Sequence, residues 1–254
     1  MKKLDLSVGI LSWKSDDVLD NTLKTYINNG LLDMVNDVTI LFQEFSKKDY
    51  DIAVKYGLNL IGLNKNIGIG NGFKKLVINT NTNNILLLEH DWNLIENQLI
   101  TYKRIEEGLN LLNNGFQCIR YRHQKKFGEP LFSKKYIGKE LTEYDKIADN
   151  YGTHLLDSIY WCNPSIIFPE QIKFENGWFT TTSRWANFTN NPCLYKKEFY
   201  LSIIEPFMGI GIDLEYNISN WWSRQNFKVA QGNGLFKHND FIKYGILKNN
   251  NLLI

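Results

Sequence analysis

Glu89-His90-Asp91 sets two carboxylates one residue apart at the end of an apolar run, Ile85-Leu86-Leu87-Leu88, with Trp92 just beyond. The run reads as a short buried strand. Side chains alternate along a strand, so Glu89 and Asp91 are expected on one face and His90 on the other, where a structural role suits it. Neighbouring carboxylates repel each other, and a divalent cation relieves that repulsion. Open α/β sheets bind ligands beyond the carboxyl ends of their strands, where this pair falls. Acids at strand ends also serve solubility alone, so the pair gains weight only from its neighbours.

Other chemistry-bearing groups are spread along the chain. Asn66-Ile67-Gly68-Ile69-Gly70-Asn71-Gly72 is a glycine-rich turn that can bring backbone N–H groups close to a phosphate. Its spacing is not G-x-G-x-x-G, and it follows the third strand, which argues against dinucleotide binding. His238, in Leu235-Phe236-Lys237-His238, offers an imidazole suited to manganese, although a lone loop histidine is a weak signal. Asp213 and Glu215 open a helix, where acids complement the dipole. A carboxylate projecting from there can also act as a general base, and because the two diverge on a helix only one can serve. Arg120 and Arg122 share a face of their strand, and either suits a phosphate or a carboxylate. Trp178, Trp185, Trp221-Trp222 and Tyr160-Trp161 make the second half aromatic-rich, as core or as faces for sugars and bases.

The elements that position these groups alternate between strand and helix patterns. Strands are expected over Leu6–Trp13, Val38–Phe42, Leu58–Leu63 and Ile85–Leu88, with helices after Ser15, over Asp49–Tyr56 and over Gly72–Asn79. Strands joined by helices imply parallel βαβ units and a Rossmann-like α/β sheet. Further on, a helix is expected over Leu94–Leu112, its apolar stripe formed by Leu99, Tyr102, Ile105, Leu109 and Leu112. A strand follows over Phe116–Arg122, then loop and short helix over Phe127–Tyr151. Short strands are expected over Tyr160–Phe168, Cys193–Tyr195 and Phe227–Ala230, and helices over Lys196–Ile203 and Ile212–Trp222. No repeat or linker divides the chain, so one domain is expected.

Composition sets the outer bounds. Apolar content of 43% and charged content of 22% over 254 residues describe an ordinary folded chain. A net charge of +2 without blocks of like charge argues against a nucleic-acid partner. Cys118, Cys162 and Cys193 are far apart, so neither a disulfide framework nor a structural zinc is expected. No apolar run approaches the roughly 18–20 residues of a membrane span. Met1-Lys2-Lys3 turns acidic too soon for a secretory signal. The expectation is a soluble, cytoplasmic protein.

The order of these features resembles GT-A fold glycosyltransferases of the family 2 type. Val8-Gly9-Ile10-Leu11-Ser12-Trp13 is similar to that family's opening strand, and Phe42-Gln43-Glu44-Phe45-Ser46 with Asp51–Gly57 to its second strand and helix. Where the family places a base-contacting Asp, this chain has Gln43-Glu44, so Glu44 is the substitute. Asn66-Ile67-Gly68-Ile69-Gly70 is similar to the segment before the family's metal motif, and Leu87–Trp92 to its D-x-D motif with Glu in first place. Asn190–Lys196 resembles the acceptor-side strand. Ile212-Asp213-Leu214-Glu215 resembles the E-D motif that supplies the base, with Ile replacing Glu. Gly234–His238 resembles the closing histidine segment. The match is good over 4–95, thinner over 185–240 and absent over 125–180.

That resemblance implies a single GT-A domain over 1–254, with residues 1–95 binding a nucleotide sugar and 96–254 binding the acceptor. It implies a metal-dependent, inverting hexosyltransferase that moves sugar from a nucleoside-diphosphate donor, UDP-linked by expectation, to a hydroxyl of a glycan or of a protein- or lipid-linked acceptor. Ser12, Trp13, Glu44, Asn66, Gly68, Glu89, His90 and Asp91 would bind the nucleotide sugar. Glu89, Asp91 and His238 would hold Mn2+ or Mg2+, and Asp213 or Glu215 would be the base. The irregular stretch 125–185 would form the acceptor wall and a lid. A sugar-phosphate nucleotidyltransferase and a non-catalytic glycan-binding relic of the same fold are the alternatives. Leu6–Lys14 lacks the glycine-rich Arg/Lys signature of the former, and retention of the acids and His238 argues against the latter.

Overall fold

Leu6, Val8 and Ile10 alternate with Ser7 and Gly9 along the first strand, β1 (Leu4–Trp13), and their side chains enter one of two cores that the sheet separates. The structure is a computed structural model that describes residues 2–208 and 214–239. Helix α1 (Asp16–Asn28) returns the chain, burying Leu19, Leu23 and Tyr26 in the same core, and a single turn, α2 (Leu31–Met34), leads into β2 (Val35–Gln43). Helix α3 (Lys47–Lys55) starts from a reciprocal cap between Ser46 and Asp49 and leads to β3 (Asn59–Leu63). Helix α4 (Ile69–Ile78) crosses to the other face, where Phe73, Leu76 and Val77 pack in the second core. In β4 (Asn84–Glu89) Leu86 and Leu88 face the first core, Ile85 and Leu87 the second. These four strands pair in parallel, as the sequence predicts.

The second half extends the same sheet. After β5 (Trp92–Leu94) comes α5 (Gln98–Asn113), capped by the Asn97 side chain, then β6 (Cys118–Arg122). Helices α6 (Leu141–Tyr151) and α7 (Pro164–Ile167) flank a 3-10 turn at Leu156–Tyr160. A hairpin, β7 (Lys173–Glu175) and β8 (Trp178–Thr182), precedes β9 (Cys193–Lys196), α8 (Lys197–Ile204), α9 (Leu214–Trp222) and β10 (Lys228–His238). One ten-stranded sheet results, in the order β3-β2-β1-β4-β9-β6-β10-β8-β7, with β5 against β10.

Strand direction explains what this sheet brings together. Strand β9 is antiparallel to both β4 and β6, and β10 is parallel to β6. Strands β1, β2, β3, β4, β6 and β10 therefore all run the same way. Trp13, Gln43, Glu89, Arg122 and His238 close β1, β2, β4, β6 and β10, so all five lie along one edge.

Several expectations are corrected. Tyr160–Phe168 is no strand: Asn163 caps α7 with Pro164 at its first position, and a proline cannot donate to a ladder. Leu94 ends a strand instead of opening a helix, and Leu99, expected in the α5 stripe, is 71% exposed. Strands β7 and β8 were not expected, and β10 runs well beyond Ala230, placing His238 on a strand. Asp213 lies outside the described residues. Among the described residues no helix is long and apolar enough to cross a membrane.

Candidate active site

The chain stops being extended directly after Glu89. His90 and Asp91 form a turn, with His90 N–H donating to the Leu11 carbonyl, and β5 then runs antiparallel to β10 with Trp92 opposite His238. Strand alternation therefore ceases to govern where Asp91 points. Glu89 keeps the strand direction on the face of Ile85 and Leu87, near Tyr200 of α8, whose phenol is raised by burial and, less, by Cys193 and Glu89. Asp91 is buried, with its carboxylate 3.5 Å from His238 Nε2 and 4.0 Å from His90 Nε2. The expectation that His90 faces away from the acids does not hold, because the turn carries the imidazole to the Asp91 side.

His238 is oriented from behind. Its Nδ1 lies 2.7 Å from the Glu129 carbonyl, which only accepts, so Nδ1 is the donor. The ring packs 4.5 Å from that of Trp92, itself fixed by a hydrogen bond from the Tyr26 hydroxyl to its carbonyl. In the neutral ring the Nε2 lone pair then faces the Asp91 carboxylate. Two electron-rich atoms in that relation need a proton or a cation between them, and an imidazole tied through Nδ1 to a carbonyl is the usual support of a metal-binding histidine. Among the described residues no three His, Cys, Asp or Glu side chains gather closely enough to hold a metal by themselves. The donor set fits a cation bound by Asp91 and His238 and completed by oxygens of a ligand.

A cavity of about 420 Å³ opens beside this pair. Glu89, Trp92, Arg122, His154, Asp157, Tyr160, Thr189, Asn190, Glu215 and His238 are among the residues that line it. Glu215 stands in the first turn of α9, and its carboxylate accepts from Thr189 Oγ1 at 3.1 Å and from the Asn190 backbone N–H at 2.5 Å. Asp157 accepts from His154 Nδ1 at 3.0 Å and from Arg120 at 3.1 Å. Burial pushes the Asp157 carboxyl up, but the His154 hydrogen bond and the charges of Arg120 and Arg122 outweigh it and hold it below its ordinary value. Residues 130–133, with His154, Asp157 and Tyr160, come from the stretch expected to form the acceptor wall.

The remaining predicted residues lie along the same edge outside that cavity. Trp13, 46% exposed, donates from Nε1 to Glu44 at 3.2 Å, and Lys14 pairs with the same carboxylate. Lys14 and Trp13 together hold the Glu44 carboxyl below its usual value. The Gln43 side chain accepts from Ile67 N–H at 2.7 Å, and Asn66 Oδ1 from Gly68 N–H at 2.8 Å, which pins the glycine turn ahead of α4. Ser12 is buried within β1.

No protein-family model matches the sequence, and no curated protein matches it. Solved structures do resemble the fold. Mannosyltransferase PcManGT from Pyrobaculum calidifontis, in complex with GDP-Man and Mn2+, superposes with a TM-score of 0.55 at 7% identity, over 94% of this chain and 58% of that one. S. aureus TarS 1–349 gives 0.53 at 11% identity, over 94% and 61%. The TarS structure with UDP-GlcNAc gives 0.51 at 10% identity, over 93% and 58%. This is the GT-A fold.

The chain spans about three fifths of the length of those structures, and at such identities the likeness speaks to the GT-A fold alone. Within that fold the structure brings Asp91 to His238 and sets Glu89, His238 and Glu215 around one cavity, with Trp13 and Glu44 as a separate ledge. Sequence reasoning named Tyr160 as an aromatic face but missed His154, Asp157 and Asn187 as cavity residues. The i,i+3 spacing of His154 and Asp157 was the available signal, but it stands in a stretch without periodicity.

Proposed function

We propose that the chain is a metal-dependent glycosyltransferase that moves a sugar from a nucleoside-diphosphate donor, UDP-linked on this reading, to an acceptor hydroxyl. Residues 1–95 bind the donor and 96–254 the acceptor. The observation that carries the reading is the 3.5 Å approach of Asp91 to His238 at the carboxyl edge of a GT-A sheet, with His238 Nδ1 tied to a carbonyl. Manganese or magnesium would be held by Asp91 and His238, with Glu89 beside them, and would supply positive charge to the diphosphate leaving group.

The chain's own groups supply the rest of the mechanism. Trp13 offers an exposed aromatic face for the base, and Glu44, fixed by Trp13 and Lys14, accepts hydrogen bonds from base or ribose. Asn66 and Gly68 contact the donor from the turn ahead of α4, which the bonds from Ile67 to Gln43 and from Gly68 to Asn66 hold in shape. Glu215 takes the proton of the acceptor hydroxyl as its oxygen attacks the anomeric carbon, and Thr189 and Asn190 fix the direction of that carboxylate. Asp213 is the other carboxylate of that segment. Attack opposite the leaving group gives inversion. Asp91→Ala tests the reading: metal-dependent turnover disappears while the far-UV circular dichroism stays native, and full activity in that variant contradicts it.

A further inference from the structure

Arg122 is a buried cation without a carboxylate. The residue is 5% exposed, yet Arg104, Arg120 and Arg184 each meet an acid and Arg122 meets none among the described residues. Its Nε donates to the Phe127 carbonyl at 3.1 Å, and one terminal nitrogen donates to Gly128 at 2.8 Å and Pro130 at 2.7 Å. Trp92 and Tyr160 bracket the guanidinium, their ring centres 5.3 and 5.8 Å from its central carbon. Carbonyls satisfy its hydrogen bonds and the ring faces part of its charge, while Asp157 and Glu129 act on it from beyond direct contact, so no carboxylate is bonded to the guanidinium. The second terminal nitrogen is engaged by no described residue, and the side chain lines the cavity.

The carboxylates around it have other partners. Asp157 is held by Arg120 and His154, Glu129 by Lys134 and the Leu131 N–H, and Glu215 by Thr189 and the Asn190 N–H. Gly128, which supplies one acceptor carbonyl, has φ of +72°, and a Cβ there would fall on the His238 backbone, so only glycine fits where this carbonyl is offered. Nε and one terminal nitrogen are committed to carbonyls, and the other terminal nitrogen, on a side chain that lines the cavity, is a charged donor for a carboxylate or phosphate oxygen.

We propose that Arg122 binds an oxyanion, phosphate or carboxylate, carried by the acceptor, so that the transferase acts on anionic acceptors. The proposal rests on the function argued above for the assignment to the acceptor. The acceptor is favoured over the donor diphosphate because Trp13, Glu44, Asn66 and Gly68 lie outside this cavity, whereas most of its wall comes from residues 122–238.

The test measures binding to the full chain by calorimetry, with inorganic phosphate, glycerol 3-phosphate and glucuronate as anionic probes, glycerol and glucose as neutral controls, and a nucleoside diphosphate with manganese. Wild type binds at least one anionic probe and neither control. Arg122→Gln weakens that probe by about tenfold or more, as loss of a charge-assisted hydrogen bond requires, while nucleoside-diphosphate affinity stays within about twofold. Arg122→Lys recovers part of the loss. Where a variant does not fold, phenylglyoxal labelling of wild type with peptide mapping replaces it, and the anionic probe protects Arg122. Equal probe binding by wild type and Arg122→Gln, or a loss confined to the nucleoside diphosphate, overturns the proposal and leaves the proposed function standing. Arg122-dependent probe binding in a chain that binds no nucleotide overturns the function and leaves the anion site.

Discussion

The carboxylate of Asp91, in the turn after β4, and the imidazole of His238, at the end of β10, face each other at 3.5 Å. Antiparallel pairing of β5 with β10 sets that distance, since it places Trp92 opposite His238. The short strand β5 thus joins the two halves of the candidate site.

Trp13 is exposed and touches little besides Glu44 and Lys14. Trp13→Ala should weaken nucleotide binding about tenfold, within the ~1–3 kcal/mol of base stacking on an aromatic ring. Its unfolding free energy should stay within about 0.5 kcal/mol of wild type. Calorimetry with a nucleoside diphosphate and urea unfolding check the two halves of this statement, and unchanged affinity removes Trp13 from the donor site.

Glu215→Gln keeps shape and hydrogen-bonding capacity but not the base. Turnover, kcat, should fall by about 100- to 10,000-fold, the range for a lost general base, with little change in donor KM. Steady-state kinetics with saturating donor decides, and an unchanged kcat moves the base away from Glu215.

Asp157→Asn removes the counter-charge of Arg120 and one of the two oxygens that accept from Arg120 and His154. Breaking a buried pair from one side should cost about 3–5 kcal/mol at neutral pH. The folded-state carboxyl titrates below its unfolded value. Its stabilisation is therefore fully present above the unfolded pKa, about 3.9, and is lost as pH falls through the folded one. The gap between wild type and variant should narrow below about pH 4. Urea midpoints across pH 3 to 7 measure it, and a gap independent of pH argues against the ionised form.

Gly234 has φ of +73°, and a Cβ there would fall on the Arg122 carbonyl and the His123 backbone. Gly234→Ala should destabilise by about 1–3 kcal/mol from the backbone conformation alone, and more from displaced backbone. Chemical unfolding tests this, and a variant as stable as wild type contradicts the close packing of β10 on β6.

The first four strands and their helices were legible because apolar periods of two and about 3.6 run long enough there to count. The edge that gathers the site followed from that alternation. The site itself was legible in part. The family resemblance implied Asp91 and His238 on one metal, but not the means of their contact, which depends on three residues of β5 pairing with a strand far along the chain. Strand alternation predicts an extended Glu89-His90-Asp91, and no local pattern announces the turn found there. Strand β7 is exposed throughout and β8 follows an Asn-Gly turn, so neither carries a long buried alternation. The buried role of Arg122 was also out of reach, because its partners are carbonyls, which every residue possesses.

The most direct test of the central claim is a thermal-shift screen of nucleotide sugars with manganese and with a chelator, on wild type, Asp91→Asn and His238→Ala. Ligand at about 100 times its Kd stabilises by ~2.7 kcal/mol, well within reach of the measurement. One nucleotide sugar should raise the Tm of wild type with manganese only, and both variants should lose that rise while keeping a cooperative transition. No rise with any nucleotide sugar, an equal rise with chelator present, or a wild-type response in Asp91→Asn would contradict the account.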